Sequence, residues 1–357
     1  MKKKVLVAMS GGVDSSVTAA ILKEQGYEVY GATMKLFYNE HIGLDKERTC
    51  CSLKDVEDAR SIAKKFDFSY YVFNFSEDFQ KKVIEPFSKS YLEAKTPNPC
   101  LDCNRYLKFE RFLERAFALE MDYIATGHYA RIEFNSSTKR YELKKALDDS
   151  KDQSYVLYTM SQKELAHTLF PLGNLAKKEV REIALELGLQ NAHKPDSQDI
   201  CFIPNGNYKD FLESTMGISS KKGYIINTKG QILGEHNGII NYTIGQRRGI
   251  GLAYLEPLYV IAKNAENNTI TVGTKEDLLA SSFVVNDVNF ISIPALAEPL
   301  EVTVKTRYKK NEFSAIISPL ENGNIFVRYK KPQEIATPGQ AAVFYINDNV
   351  IGGGTII

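Results

Sequence analysis

Residues 4–16 of this chain read Lys4-Val5-Leu6-Val7-Ala8-Met9-Ser10-Gly11-Gly12-Val13-Asp14-Ser15-Ser16. The apolar run that opens this stretch predicts a strand, and residues 17–23 after it have a helical pattern. The two glycines between them permit a tight turn and leave main-chain N–H groups open to a ligand. A helix N-terminus adds further N–H donors and a partial positive charge. The stretch therefore predicts a phosphate-binding loop between a strand and a helix.

This glycine turn differs from two common nucleotide loops. No Gly-Lys-Ser/Thr closes it, as in a Walker A loop, and it lacks the GxGxxG of a dinucleotide fold. Ser-Gly-Gly-x-Asp-Ser after a strand instead resembles the PP-loop ATP pyrophosphatases, which implies that ATP is split to AMP and pyrophosphate and that AMP is attached to a substrate oxygen. The residues that this resemblance places around the nucleotide are Ala8, Met9, Ser10, Gly11, Gly12, Val13, Asp14 and Ser15. The alternative is an ordinary glycine turn in which Asp14 or Ser15 is the helix N-cap.

Strand-like and helical segments alternate over residues 1 to about 130. The strand-like runs are Val5–Met9, Glu28–Met34, Tyr70–Phe75 and Tyr123–Thr126, and the helical patterns are Asp14–Gln25, Leu53–Phe66, Asp78–Glu93 and Arg105–Leu119. This alternation predicts an α/β fold with a doubly wound, mostly parallel sheet whose ligand lies at the carboxyl ends of the strands. The phosphate loop, Met34 and Gly127-His128 all follow such strand ends, which predicts one shared site. Met34 fits either an adenine pocket or core packing, and His128 fits either a substrate contact or a structural role.

Length and composition set broader bounds. The 357 residues predict two or three domains, and 43% hydrophobic with 25% charged residues is ordinary for a globular protein. The net charge of +1 gives no global indication of nucleic-acid binding. Neither a signal peptide nor an apolar run of membrane-spanning length is present, so we expect a soluble, cytoplasmic protein. The odd count of five cysteines does not suggest a disulfide scaffold.

Two segments present cysteines in reactive surroundings. In Thr96–Asn104, two prolines stiffen a loop that presents Cys100 and Cys103 near the start of a predicted helix, where a thiol pKa is lowered. One CxxC supplies only half of a closed zinc site, so a structural zinc or a buried pair are the alternatives. Cys201 ends a polar segment in which His193 or Lys194 would favour its thiolate. The adjacent Cys50 and Cys51 are interpreted as a capping segment before a helix.

Six motifs along the chain together resemble the tRNA-specific 2-thiouridylase family. In order they are SGGVDSS, TPNPCLDCN, ATGHYAR, KDQSY, HKPDSQDICF and YTIGQRRGIG, and they extend across essentially the whole chain. The resemblance implies a PP-loop, adenine nucleotide α-hydrolase-like fold and insertion of sulfur at C2 of the wobble uridine in tRNAs for Lys, Glu and Gln. Many members of the family have Asp where this chain has Cys100, so an aspartate role is not expected there.

The reaction implied by the resemblance uses ATP with Mg²⁺. The C2 oxygen of the uridine attacks the α-phosphate, pyrophosphate leaves, and AMP becomes the leaving group at C2. Cys201 would carry a persulfide supplied by a sulfur-relay protein or a cysteine desulfurase. Cys103 would be the nucleophile or reductant that releases the sulfur, through a disulfide with Cys201 or as free sulfide. The nucleotide would be bordered by Met34 and Gly127.

The resemblance and the composition of the later segments also imply contacts to tRNA. The residues concerned are Asn98, Pro99, Cys100, His128, Lys151, Asp152, Gln153, Arg307, Tyr308 and Gln340. An aromatic ring beside cations, as at 307–310, can stack a base and hold phosphates. We expect three domains: an ATP-binding catalytic domain at 1–204, a small tRNA-contacting domain at 205–275, and a tRNA-binding β-barrel of short strands at 276–357.

Three other functions fit part of the sequence. Cys100, Cys103 and Cys201 could hold an iron–sulfur cluster that binds sulfide, on the same tRNA substrate. An amidating or ligase-type PP-loop enzyme would use the same phosphate loop but would not need the two cysteine segments. An ATP-binding tRNA protein without thiolation activity would form no AMP in the presence of tRNA.

Overall fold

A parallel sheet forms the frame of the N-terminal region in the computed structural model, which describes residues 2–38, 53–195, 200–203, 206–218 and 220–357. The sheet has five strands in the spatial order β3-β2-β1-β4-β7, and every neighbouring pair is parallel. The strands are β1 Lys4–Ala8, β2 Glu28–Lys35, β3 Tyr70–Asn74, β4 Tyr123–Ala125 and β7 Thr168–Leu169. This confirms the predicted α/β fold, in which the first strand lies in the centre of the sheet. The two-residue β7 was not predicted.

Helices connect these strands. They are α1 Val13–Glu24, α2 Leu53–Lys65, α3 Ser76–Phe79, α4 Glu85–Leu92, α5 Pro99–Asp102, α6 Phe112–Ala118, α7 Gln162–Ala166, α8 Lys177–Glu186 and α9 Tyr208–Asp210, with π-helical turns at Gln80–Ile84, Cys103–Arg111 and Phe211–Thr215. The cysteine helix begins six residues before the predicted Arg105, because Asn98 caps it and Pro99 occupies its first position, where a missing N–H costs nothing. Among the described residues, no helix has the length and apolar character needed to cross a bilayer.

A small sheet and a closed barrel follow. The four-stranded sheet has the order β10-β11-β8-β9. In the second unit β12 pairs with both β15 and β17, so β12, β15, β14, β13, β16 and β17 close into the predicted β-barrel. The strands are β8 Gly223–Asn227, β9 Ile232–His236, β10 Tyr259–Asn264, β11 Thr269–Gly273, β12 Leu279–Phe290, β13 Leu300–Lys305, β14 Phe313–Pro319, β15 Ile325–Glu334, β16 Ala341–Ile346 and β17 Asn349–Ile356. At twelve residues, β12 is longer than the short strands expected.

A hairpin from the N-terminal region extends the barrel sheet. Strands β5 Ala130–Asn135 and β6 Arg140–Lys145 pair with each other, and β6 meets β17 through Lys144 and Asn349. Arg131 donates to Asp348 and Lys145 lies 2.6 Å from Glu312, so both cations hold the hairpin against the barrel. Since β5 directly follows residues 127–128, this joint links the carboxyl end of β4 to the C-terminal region.

An aromatic cluster packs the segment that contains Cys201. Phe202 is 1% exposed, and its ring contacts Phe79, Phe87 and Phe211 at centroid distances of 5.2–5.6 Å. Phe79 and Phe87 lie on α3 and α4, whereas Phe211 begins the last π-helical turn. Edge-on aromatic packing of this kind adds to the energy of burial. The cluster therefore fixes the chain next to Cys201 against the N-terminal helices.

Replacing Phe202→Ala should lower the free energy of unfolding by about 3–5 kcal/mol, because it opens a cavity among three rings. The measurement is the shift of the thermal unfolding midpoint by calorimetry. Leu185→Ala is the control, because that side chain is 51% exposed and should change the midpoint little. Equal shifts for the two variants would show that the cluster does not stabilise this region.

Candidate nucleotide site and cysteine segments

The phosphate loop takes a path that only glycine permits. Gly11 has φ +71°, and a Cβ on it would lie 2.5 Å from the backbone oxygen of Asp55. Gly12 is the extended N-cap of α1, with φ −85° and ψ 161°. The chain therefore turns sharply at the end of β1 and presses its backbone against the start of α2. This confirms that the Ser-Gly-Gly stretch lies between a strand and a helix.

Backbone amides without intrahelical partners lie where the loop enters α1. The first intrahelical bond runs from the Ser16 amide to the Gly12 carbonyl at 3.3 Å, so the N–H groups of residues 12–15 precede the hydrogen-bonded ladder. The Ser15 hydroxyl bonds back to the Gly12 carbonyl and accepts the Ser10 amide, which ties the two sides of the loop together. Such a helix end, with its positive field, fits an anionic phosphate group.

Two neighbouring strand ends border this loop. Gly127 follows β4, and a Cβ there would lie 2.9 Å from the backbone and Cβ of Asp14 and from the Ser15 amide. Met34 lies near the end of β2 on the other side and packs, partly buried, against the main hydrophobic core. Because β1 pairs in parallel with both β2 and β4, the structure brings the loop, Met34 and Gly127 to one edge of the sheet.

A polar support holds the loop from behind. The buried Asn191 amide donates to the Gly11 carbonyl at 3.1 Å and to the Ser16 hydroxyl at 2.9 Å. The Lys194 ammonium also donates to the Gly11 carbonyl and lies 2.6 Å from Asp55 and 2.9 Å from Asp58. Lys194 was expected beside Cys201, but its ammonium lies at the phosphate loop. Residues 196–199 of that motif, like Cys50 and Cys51, lie outside the described residues.

Asp14 of the loop has partners from two other elements. The Lys177 ammonium lies 2.7 Å and 2.8 Å from its two carboxylate oxygens, and the Tyr129 hydroxyl donates to it at 2.8 Å. Asp14 is therefore not the N-cap of α1, which is Gly12, but part of a partly buried charge pair. Sequence reasoning missed Lys177, which is separated from Asp14 by 163 positions.

The three cysteines of interest differ in exposure. Cys100 lies in the first turn of the cysteine helix and is exposed, and its amide donates to the Asn98 side chain at 3.1 Å. Cys103 lies one turn further and is buried, at 7% exposure. Cys201 is partly exposed and packs against the same hydrophobic core that contains Cys103. Within the ranges that the structure describes, no three cysteine, histidine or acidic side chains converge as metal ligands.

Asp102, between the two cysteines of the CxxC, has a perturbed carboxyl group. Burial raises the pKa of Asp102 to about 6, Arg105 opposes the shift, and Asp287 of the barrel adds to it. Arg105 forms an ion pair with Asp287, whose backbone has φ +45°. The ion pair between Arg105 and Asp287 thus joins the helical segment that carries Cys103 to the barrel.

Several residues predicted to contact tRNA lie together beside Cys100. Burial raises the pKa of Tyr308, with smaller contributions from the nearby Asp152 and Cys100, and its ring lies 6.1 Å from that of Tyr155. The Gln340 amide donates to the Thr96 carbonyl at 2.7 Å, which attaches the barrel to the loop before the cysteine helix. The structure therefore places Tyr308 and Gln340 of the barrel against the segments that contain Asp152 and Cys100.

Other residues of the predicted tRNA set have partners inside the protein. Asp152 is buried and accepts bonds from the Ala146 and Ser154 amides, and the Gln153 side chain accepts the Tyr129 amide. Arg307 donates to the Ile244 carbonyl and to Thr337, so it joins the barrel to the central region. The remaining members are placed as follows: Pro99 buried, Asn98 and Lys151 partly exposed, and His128 buried against Phe109 and Phe170.

Three family models match consecutive parts of the chain. They are a tRNA methyl transferase HUP domain over residues 3–205, a tRNA methyl transferase PRC-barrel domain over 209–274, and an aminomethyltransferase beta-barrel domain over 280–356. Together with the parallel sheet and its glycine loop, they define a HUP-domain protein of the PP-loop class. The described fold and the matched families agree on the order of a sheet domain, a small central domain and a barrel.

Curated relatives match over almost their whole length. The tRNA-specific 2-thiouridylase MnmA of Acetivibrio thermocellus is 51% identical over 357 residues, which cover 99% of each chain. The enzyme of the same name from Caldicellulosiruptor saccharolyticus is 51% identical over 100% of this chain and 99% of its own. That from Clostridioides difficile is 48% identical over 100% and 98%. The chain belongs to the tRNA-specific 2-thiouridylase family, which confirms the resemblance of its motifs.

Replacing Gly127→Ala should weaken ATP binding by about tenfold to a hundredfold, because the new methyl group displaces Asp14 and Ser15 from their positions. Binding of a fluorescent ATP analogue measures the effect. Gly26→Ala is the control. Gly26 has a positive φ, so alanine strains the backbone there, but its Cβ would meet no atom within 4 Å, and ATP binding should not change. Equal affinities for Gly127→Ala and wild type would contradict the proposed packing of the loop.

His128 should make stability fall on acidification. Burial holds the pKa of His128 well below its usual value of 6.5, so the folded protein keeps it neutral while the unfolded chain takes up a proton. This contribution is complete above pH 6.5 and is lost as the pH falls toward the lowered value. The unfolding midpoint of His128→Gln should therefore depend less on pH between about 7 and about 5 than that of wild type. The exposed His193→Gln is the control, and a profile for His128→Gln parallel to wild type would refute the assignment.

Proposed function

We propose that the protein is a sulfurtransferase that replaces the C2 oxygen of the wobble uridine in tRNAs for Lys, Glu and Gln with sulfur, at the expense of ATP. One observation carries this proposal: a phosphate loop and two cysteine segments occur in the region of the parallel sheet, and the Cys201 segment packs through Phe202 against α3 and α4, which precede the Cys103 helix. The relatives named tRNA-specific 2-thiouridylase support it. The site of action would be the cytoplasm, where tRNA is found.

The first step activates the base. The C2 oxygen attacks the α-phosphate of ATP, the bond to pyrophosphate breaks, and AMP is attached through that oxygen. The amides of residues 12–15 and the end of α1 would stabilise the phosphate charge. Mg²⁺ would neutralise the departing pyrophosphate, and since Asp14 is paired with Lys177, it would be bound mainly through phosphates and water. Without this activation, the C2 oxygen is too poor a leaving group to be displaced.

The second step delivers sulfur. A sulfur-relay protein or a cysteine desulfurase would convert Cys201 to a persulfide, and the terminal sulfur attacks C2 and expels AMP. The Cys103 thiolate then attacks the Sγ of Cys201, which forms a Cys103–Cys201 disulfide and leaves both electrons of the broken S–S bond on the new C2 sulfur. A cellular dithiol reduces the disulfide for the next cycle. Alternatively, the Cys103 thiolate attacks the Sγ of the Cys201 persulfide first, which forms the same disulfide and releases hydrosulfide, and the hydrosulfide then attacks C2 and expels AMP.

Binding of tRNA would use all three parts of the chain. We propose three functional units, residues 1–204, 205–275 and 276–357, with the predicted set from Asn98 to Gln340 at their junction. Tyr308 beside Cys100 is suited to stack a base, and Arg247 and Arg248 form an exposed basic loop for phosphates. The wobble base would have to leave its stack to reach the phosphate loop and the cysteines. Asp152, Gln153 and Arg307 would shape this surface from within.

Replacing Cys103→Ser or Cys201→Ser should abolish thiolation from a persulfide donor, with activity reduced at least about a thousandfold, because each variant lacks a sulfur that the exchange needs. The measurement is mass spectrometry of nucleosides from tRNA incubated with enzyme, ATP, Mg²⁺ and a persulfide donor protein. Free sulfide should restore part of the product in both variants, since it bypasses the relay. Full thiolation by either variant with the persulfide donor would overturn the assignment.

The same assay separates the alternative functions. Cys100→Ser, which removes the exposed cysteine of the CxxC, should keep most of the activity if a persulfide relay operates. An iron–sulfur mechanism predicts a different result: 2-thiouridine forms only with brown, anaerobically prepared enzyme, and all three cysteine variants lose it. That result would contradict the persulfide relay. Tight tRNA binding without release of AMP would leave a binding protein.

A further inference from the structure

Lys177 lies outside every motif that identifies the family, yet it contacts the phosphate loop. It is the first residue of α8, and its ammonium lies within 2.8 Å of both carboxylate oxygens of Asp14. Lysine is rarely buried without a partner, and Lys177 is only 9% exposed. The pair joins a buried ammonium to a partly exposed carboxylate at the proposed phosphate loop, which suggests a role in that site as well as in packing.

Three contacts fix the position of this pair. The Lys177 amide donates to the Asp148 carboxylate at 3.0 Å, which anchors the start of α8. The Tyr129 hydroxyl donates to Asp14 at 2.8 Å, and the Lys177 ammonium lies 5.7 Å from the centre of the Tyr129 ring. The backbone of Gly127 packs against Asp14 so closely that no Cβ would fit. Asp14 is thus held from three sides and cannot turn away from the loop without breaking several bonds.

The charge of Asp14 would oppose the proposed substrate. Asp14 is the second residue of α1, beside the same amides that would bind phosphate. A carboxylate there stabilises the helix but offsets the positive field of its N-terminus and repels a polyphosphate. An ammonium within 2.8 Å cancels that charge. The loop then keeps the Asp14 side chain in its fixed position, and the Asp14 charge no longer repels the polyphosphate.

We propose that Lys177 is a positioning residue of the ATP site, which holds the Asp14 carboxylate and compensates its charge so that the loop can accept the polyphosphate. This inference rests on the proposed function only for the identity of the ligand as ATP. Lys177 acts on phosphate through Asp14 and not by direct contact. A loop in which Asp14 is displaced from Lys177 would bind the nucleotide poorly.

The first test compares two adjacent lysines of α8. Lys177→Met, which keeps the aliphatic volume and removes the charge, should weaken ATP binding about tenfold, equivalent to ~1.4 kcal/mol. Lys178→Met is the matched control, because the Lys178 side chain is 87% exposed and pairs only with Glu182 among the described residues. Adenosine, which carries no phosphate, should bind Lys177→Met and wild type equally. The ATP defect should also shrink as salt is raised, since salt screens the repulsion.

The second test removes both charges. If Lys177 acts through Asp14, then Asp14→Asn combined with Lys177→Met should bind ATP within about twofold of Asp14→Asn alone. Lys177→Met leaves the Asp14 carboxylate unpaired and can therefore fail to fold. The double variant contains no unpaired carboxylate at this place, so its ATP affinity can be measured in that case too. If the double variant binds ATP about tenfold more weakly than Asp14→Asn alone, Lys177 acts on phosphate independently of Asp14 and the proposal fails.

Two further results would overturn the proposal. Equal loss of adenosine and ATP affinity would show that Lys177 only supports packing, and unchanged ATP affinity would show that the pair has no role in binding. Because these measurements use nucleotide binding without tRNA, they are independent of thiolation. A protein that binds ATP as described but forms no 2-thiouridine would refute the proposed function and leave this inference intact.

Discussion

The close approach of one backbone segment to two others is the constraint on which the site depends. Gly11 touches the Asp55 backbone, and Gly127 touches Asp14, so that a Cβ at either glycine would fall within 3 Å of main-chain atoms. These contacts bring the end of β1, the end of β4 and the start of α2 close together. This packing leaves no room for a side chain at either glycine, so the path of the loop before α1 depends on both.

Local patterns were sufficient to predict the first sheet. Strands β1 to β4 and helices α1 and α2 agree with the predicted segments to within one residue at nearly every end, because their apolar periodicity reflects burial on a single sheet. Long-range pairing was not predictable in the same way. The two residues of β7 are a strand only because β4 lies beside them, and the β5–β6 hairpin joins the barrel through a contact between Lys144 and Asn349. No pattern within the hairpin encodes its partner.

Motifs located the site but not the roles of its side chains. The glycines of the loop follow from their sequence, since tight turns and close contacts require them. Lys177 and Lys178 begin α8, and two adjacent lysines at a helix start are typical of a solvent-exposed surface. Only the fold shows that Asp14 lies beside Lys177. Conversely, His128 and Asp152 occur in polar motifs typical of RNA contacts, yet both are buried with internal hydrogen bonds. Burial, which the sequence does not show at single positions, gives both side chains a structural role in the fold, and their contact with tRNA stays a prediction.

The support behind the loop explains why its amides stay aimed outward. The Gly11 carbonyl and the Gly12 N–H belong to one trans peptide plane, so they point in opposite directions. Asn191 and Lys194 both donate to that carbonyl from the protein side. A flip of this peptide would break both bonds and leave one buried N–H of the Asn191 side-chain amide without its acceptor, which costs about 1–3 kcal/mol, whereas Lys194 would keep its pairs with Asp55 and Asp58. Asn191 and Lys194, which precede Cys201 in the sequence, therefore hold the peptide between Gly11 and Gly12 in the orientation that directs its N–H away from them.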